Sequence, residues 1–387
     1  MKSTKPTILV YTNSYNNNSE TFVINHIKEL VENYNVIVVT NHSKIEKINP
    51  EVIIKSNYFD KGIGYRLFKT LISFKWIKNV WNKRNFYNGS LLTLYNTIKN
   101  LKYDYIYVHF GQNGKLIWEL EQLGLINKPV ITHFHGLDFT LPIYQKKYYD
   151  SIFSFAKNII CGTEFAKNKL IKIGFEGKNI SIIPAPVYFE GENSGEFPNT
   201  FNILFVTRFI ELKGVLELKS ILIQLQKLNF TNYRLNLIGD GPLMALVQKE
   251  LEPFKENINF KGRKSQEDIV RELKNSHITI YPGVVDKDGR EESQCLAIQE
   301  GFAFGLPTVA FDVGGISESV IDKQTGLLIK RKDHKAFALA IIEIATKKDF
   351  YYYLSSQAYL LYKSKYAREI IFKKLEILLE QIKKDEF

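Results

Sequence analysis

Short, apolar, β-branched runs separated by helix-length stretches recur along this chain, and that alternation confines the fold more than any other feature. In the first half, Thr7–Tyr11 and Val36–Thr40 read as buried parallel strands. Between them Glu20–Glu32 reads as a helix whose Phe22, Val23, Ile27 and Leu30 fall on one face. Tyr105–Val108, Pro129–Thr132 and Asn158–Cys161 continue the series. From Pro184 to Thr200 the pattern breaks into prolines and the stretch GENSGEFPNT, an exposed connection. The alternation then starts afresh with Asn202–Val206, Leu235–Ile238, His277–Tyr281 and Pro307–Ala310, and the tail from Lys347 is helical by period. Strand–helix–strand order predicts a doubly wound parallel sheet, and here it occurs twice.

At 387 residues the chain is too long for one core, and its 45% apolar content supplies two. Its two cysteines, Cys161 and Cys295, stand far apart and in no metal-ligand spacing, so neither a disulfide framework nor a structural zinc site is expected. The apolar run near the N-terminus is only Ile8–Tyr11, too short for a signal peptide, and no stretch approaches a membrane span. A cytoplasmic protein is expected, at most resting on the inner face of the membrane.

In open parallel sheets, ligands sit outside the carboxyl ends of the strands, so the residues just after strands carry the chemistry. In the second half, Arg208 and Lys213 follow the first strand, and Gly239-Asp-Gly241-Pro242 follows the second. Arg290-Glu-Glu292 and a helix with Glu300 follow the third, and Val313-Gly314-Gly315-Ile316 the fourth. Breaking a sugar–diphosphate bond asks for such a set. Positioned cations stabilise the charge on a departing nucleoside diphosphate. A glycine pair before a helical turn lets backbone N–H groups approach phosphate, and carboxylates bind sugar hydroxyls. Singly, each feature is an ordinary turn or surface charge; their order after successive strands is the signal. Asp286-Lys-Asp288 superficially resembles a divalent-metal motif, but it is short and polar, and no metal is expected.

On these motifs the second half resembles glycosyltransferase family 4, whose members have two Rossmann-like domains facing a cleft, the GT-B fold. Arg208…Lys213-Gly214, Gly239-Asp-Gly-Pro242, Glu292-x7-Glu300, Gly305-Leu-Pro307, Val313-Gly-Gly-Ile316…Glu318 and Thr325-Gly-Leu327 carry the likeness. Ser19-Glu20-Thr21-Phe22, His109-Phe-Gly111 and His133-Phe-His135-Gly-Leu-Asp138 extend it to the first half, toward transferases of the colanic-acid and amylovoran type. The resemblance implies an acceptor-binding domain over 1–190, a nucleotide-sugar domain over 201–365 and a helix over 366–387 packing back on the first domain. It implies that Arg208 and Lys213 hold the donor diphosphate, that Glu292 contacts the donor sugar and Glu300 the ribose. Gly239, Gly241, Gly314, Gly315 and Ile316 would line the donor, and His135 would reach the donor sugar. Ser19, Glu20, Thr21, His109 and Asp138 are acceptor-side candidates, with Asp138 orienting its loop. Retention of anomeric configuration without cofactor or metal is implied, as is transfer from a UDP- or GDP-linked hexose to a glycan or polyprenyl-linked glycan. The chain departs from the family pattern at Thr207, Gly283, Ser293 and Gly301, none of which removes a charge that the chemistry needs.

The formal net charge of +11 is unevenly spread. From Lys61 to Tyr103 there is no acidic residue, while Arg66, Lys69, Lys75, Lys78, Lys83, Arg84, Lys99 and Lys102 accumulate among aromatics. One reading is a basic amphipathic helix packed on its own domain; the other is a surface that docks on anionic lipid. No nucleic-acid partner is expected, since the basic residues form no recognisable RNA or DNA module. A nucleotide-sugar epimerase or a phosphorylase of the same fold is the rival enzyme, disfavoured by the Glu292-x7-Glu300 spacing and the lack of a pyridoxal-phosphate lysine motif.

Overall fold

The computed structural model describes residues 5–15, 21–43, 53–55, 89–144, 146–191, 197 and 199–385. Ser19, Glu20 and the 61–88 part of the basic segment lie outside the described residues, and Thr21 is described only as the first residue of a helix. The chain divides into two compact units. One comprises 1–162 and 167–182, and the other 163–166 and 183–387.

The first unit is a parallel sheet of seven strands: β1 (Thr7–Tyr15), β2 (Asn35–Ser43), β3 (Ile53–Lys55), β4 (Tyr105–His109), β5 (Val130–His133), β6 (Asn158–Cys161) and β7 (Ile180–Ile182). Their spatial order is β3-β2-β1-β4-β5-β6-β7, so the order reverses between β1 and β4. Every residue of β4 and β5 is buried, as a sheet covered on both faces requires. The helix α1 (Thr21–Asn33) follows β1 and buries Val23, His26, Ile27 and Leu30, a stripe at helical spacing. The helix α2 (Gly89–Ile98) buries Leu91, Leu92, Leu94 and Ile98, and α3 (Gly111–Gln122) starts directly after β4.

The second unit is a six-stranded parallel sheet: β8 (Phe201–Val206), β9 (Tyr233–Ile238), β10 (Ile258–Phe260), β11 (Ile278–Tyr281), β12 (Thr308–Phe311) and β13 (Gly326–Ile329). The order is β10-β9-β8-β11-β12-β13, with its reversal between β8 and β11. One apolar core runs from Phe201 and Leu204 in the sheet to Phe302, Phe337, Ile341, Leu354 and Tyr366 in the helices around it. The final helix, Arg368–Lys384, buries Ile371, Phe372, Leu375, Leu379 and Ile382 along one stripe. Among the described residues no helix is long and apolar enough to cross a membrane. The two doubly wound α/β halves expected from the alternation are therefore present.

Candidate active site

In each sheet the motif residues gather at the carboxyl ends of the strands, beside the reversal of strand order. In the second unit Lys213 lies in a turn after β8, Tyr281 ends β11, and Glu292 lies in the loop that leads to the helix Leu296–Phe302. The Lys213 ammonium pairs with Glu292, and the Tyr281 hydroxyl donates to the same carboxylate oxygen. Lys213 also stands 5.5 Å from the centre of the Tyr281 ring. Both charged side chains are largely buried, at 16% and 13% exposure, so the pair is weakly screened. Burial pulls the Lys213 pKa down, but the charge and hydrogen bond of Glu292 outweigh it and the net shift is upward. Lys213 therefore stays cationic at neutral pH.

The Arg208 guanidinium is exposed and makes no hydrogen bond or ion pair among the described residues, and its charge opposes that of Lys213. Lys213 is thus paired with Glu292 while Arg208 is not, which leaves positive charge for an anion. Glu300 sits on the helix Leu296–Phe302, and burial raises its pKa to about 7.

The glycine motifs knit these loops together. A Cβ on Gly314, whose φ is +61°, would stand 2.1 Å from the carbonyl oxygen of Glu292, and one on Gly315 would stand 2.1 Å from that of Ser293. The Gly315 N–H donates to the Glu292 carbonyl at 2.9 Å, and the Ile316 N–H to Val313 at 3.2 Å. Two of the three backbone amides in this turn are therefore engaged within the protein, and the glycine pair fixes the backbone of Glu292. Gly239 and Gly241 do the same for the Arg208 loop. A Cβ on either would meet Thr207 or Phe209 backbone, and Phe209 N–H donates to the Asp240 carbonyl at 2.9 Å. The carboxylate of Glu318 caps the helix Glu164–Ile173, accepting from Glu164 and Phe165 N–H at 2.8 and 2.7 Å. Asp286, in the acidic loop, is buried and held by Arg290 at 2.6 Å. Cys295 is buried as well, with its thiol pushed up to about 12, which keeps it protonated and unreactive.

In the first unit His109 and His133 are register partners at the ends of β4 and β5, and His135 follows two residues later. The Asp138 carboxylate ties the two following loops together. It accepts from Gly111 N–H at 2.8 Å at the start of α3, from Gly136 N–H at 2.8 Å and from His135 N–H at 3.1 Å. Burial raises its pKa to about 6 against the pull of those bonds. Phe110, between His109 and Gly111, holds φ at +73°, a strained conformation for a bulky residue.

Four imidazoles meet here. His26 Nδ1 lies 3.1 Å from His109 Nε2, and His109 Nδ1 lies 3.0 Å from His135 Nε2. His133 stacks on His135 with ring centres 4.2 Å apart, and its Nδ1 bonds the Tyr107 hydroxyl at 2.8 Å. Burial lowers all four pKa values, those of His26 and His133 to about 3, so the cluster is neutral at physiological pH. His109, His133 and His135 lie close enough together to be weighed as metal ligands. Both nitrogens of His109 are already engaged, however, Nε2 with His26 and Nδ1 with His135, so a metal would have to displace one of these bonds.

Sequence reasoning missed Tyr281 and His26. Tyr281 looks like the last core residue of a strand, and His26 like one more residue on an amphipathic helix. The signal for His26 was its place on the buried stripe of α1, where a polar side chain needs a partner.

Comparison with known proteins adds to this geometry. Residues 19–190 match the family model for Glycosyltransferase Family 4, and residues 190–360 that for Glycosyl transferases group 1. The chain belongs to glycosyltransferase family 4. Among curated relatives of this family-4 chain, the amylovoran biosynthesis glycosyltransferase AmsK of Erwinia amylovora is 27% identical over 62% of this chain and 61% of that protein. The putative colanic acid biosynthesis glycosyltransferase WcaL of Escherichia coli is 25% identical over 61% and 60%. The chain thus matches about three fifths of the length of these relatives. Among solved structures, a glycosyltransferase from Rickettsia africae superposes with TM-score 0.69 at 19% identity, covering 97% of this chain and 98% of that one. HepE from Anabaena, solved in complex with UDP, superposes with TM-score 0.72 at 14% identity, covering 97% and 100%. At those identities the likeness concerns the fold.

Proposed function

We propose that this family-4 chain is a retaining glycosyltransferase that moves a hexose from a UDP- or GDP-linked donor to a glycan or polyprenyl-linked glycan in bacterial surface polysaccharide synthesis. The observation that carries the reading is the Lys213–Glu292–Tyr281 cluster beside the exposed Arg208, at the reversal of strand order in the second sheet. A buried carboxylate already hydrogen-bonded by a lysine and a tyrosine is rigid, and rigid acceptors orient sugar hydroxyls with little reorganisation. Lys213 and Arg208 would stabilise the negative charge growing on the departing diphosphate. Glu300 would accept from ribose hydroxyls, and His135 would contact the donor sugar. The relatives' names, amylovoran and colanic acid synthesis, and the UDP bound to HepE support the pathway and the donor class. The chemistry assigned here needs neither a metal nor another cofactor, and a cytoplasmic enzyme working near the membrane suits a lipid-linked acceptor.

A donor screen tests the reading. Purified protein is incubated with UDP-, GDP-, ADP- and CMP-sugars, with and without membrane extract, and nucleotide release is followed. One donor should be consumed, with loss in Glu292→Ala and Arg208→Ala and an unchanged anomeric configuration in the product. Absence of release and of thermal stabilisation with every donor would overturn it.

A further inference from the structure

His26, His109 and His135 form a continuous hydrogen-bonded row. The His109 and His135 rings lie 20° from coplanar with centres 5.2 Å apart, the arrangement of two imidazoles bonded edge to edge. His26 meets the other edge of His109 with centres 5.1 Å apart and its plane turned by 86°. A neutral imidazole has one N–H and one bare nitrogen, so each bond in the row fixes the tautomer of the next ring. If His109 donates through Nε2 to His26, its Nδ1 is bare and must accept from His135 Nε2. All three rings then carry their proton on Nε2. If His26 donates instead, all three carry it on Nδ1. Any mixed set sets two N–H groups or two lone pairs face to face in a buried site, which costs at least one hydrogen bond.

We propose that His26, His109 and His135 act as a single tautomeric unit, so that His26, two rings away, sets whether His135 offers a proton or a lone pair at Nδ1. In converting from the Nε2 set to the Nδ1 set, one proton enters at His135 Nδ1, one passes across each of the two inner bonds, and one leaves at His26 Nε2. No charge accumulates, which suits a site whose burial keeps every ring neutral. Phe22 and Phe110 pack around the His135 ring with centres 4.7 and 4.8 Å away, and His133 covers it from another side. These contacts hold the ring in place, so that its tautomer is the property left to vary. His26 and His109 are thus positioning residues for His135. Their link to the donor sugar rests on the function proposed above; the tautomer coupling does not.

The chain has seven histidines, few enough for selective imidazole ¹⁵N labelling with assignment by single His→Gln variants. Nitrogen shifts separate protonated from bare positions. The expected result is one shared tautomer for His26, His109 and His135, in the whole protein without ligand. Mixed tautomers would overturn the proposal. A metal ion bridging His109 Nδ1 and His135 Nε2 would give such a mixture, with the His109 proton on Nε2 and the His135 proton on Nδ1. The functional arm compares His26→Leu with His26→Asn, whose amide can donate or accept near the place of Nδ1. His26→Leu should change the His135 shifts and lower kcat by about tenfold, and His26→Asn should restore it to within about threefold. The opposite order, with Leu better than Asn, would mark His26 as packing alone. If no donor is turned over at all, the shifts still decide the coupling, and only the function proposed above is lost.

Discussion

The ring of Tyr281 occupies the space that a side chain at position 283 would need: a Cβ on Gly283 would lie 2.4 Å from Tyr281 Cε1. The missing side chain at Gly283 leaves the room in which the Tyr281 ring turns its hydroxyl onto Glu292. Gly283→Ser should therefore displace the ring and free Glu292 from one of its two side-chain partners. The expected outcome is a loss of about 1–2 kcal/mol in donor binding with the fold intact, read by calorimetry against circular dichroism. Tyr281→Phe should give a loss of the same size. If Gly283→Ser weakens binding while Tyr281→Phe does not, the contact matters for shape and not for hydrogen bonding.

Glu300 ties stability to pH. Its folded pKa of about 7 lies above the 4.5 of a free glutamate, so the native state holds the proton more tightly than the unfolded chain. Stability contributed by this group is present below about pH 4.5 and is lost as pH rises to about 7. Glu300→Gln removes that loss. It should be more stable than the parent by about 2 kcal/mol at pH 8, after allowing for partial solvent contact, and equal to it at pH 4. Denaturant titrations at the two pH values check this. Donor affinity should move the other way: it should rise between pH 6 and 8 in the parent as Glu300 ionises, and stay flat and weak in the variant.

Asp138→Asn keeps the shape of a side chain that accepts three backbone N–H groups but turns one acceptor oxygen into a donor. At least one buried N–H is left without its partner, at a cost of about 1–3 kcal/mol. Because two of those N–H groups belong to His135 and Gly136, activity should fall more than stability. Equal activity at a reduced melting temperature would show that the loop keeps its place without the carboxylate.

Glu318→Ala should uncap the helix Glu164–Ile173, whose first two N–H groups it receives, and cost about 1–2 kcal/mol. Protection of those two amides against hydrogen exchange should fall with it. Unchanged protection would mean that water or another group caps the helix equally well.

The strands that the alternation picked out are the inner strands of both sheets. The four it passed over, β3, β7, β10 and β13, are all edge strands, three or four residues long. An edge strand is covered on fewer sides, so its apolar run is short and its period faint. The motif residues were legible because they follow inner strands in a fixed order. Tyr281 and His26 were not, because their roles depend on what stands opposite them, in Glu292 and His109. The glycine pair was visible, but not its use: it reads as a phosphate turn, and the structure also makes it the seat of the Glu292 backbone.

The Lys213–Glu292 pair joins residues 79 positions apart. On a ribosome adding roughly 5–20 residues per second, Glu292 follows Lys213 by about 4–16 seconds. Through that interval the nascent chain carries Lys213 without its counter-ion and β8 without the neighbouring β11. Slow codons or a stalled ribosome between these positions would prolong the exposure of an unpaired, apolar half-sheet, the state in which this chain is most open to aggregation and to chaperone capture.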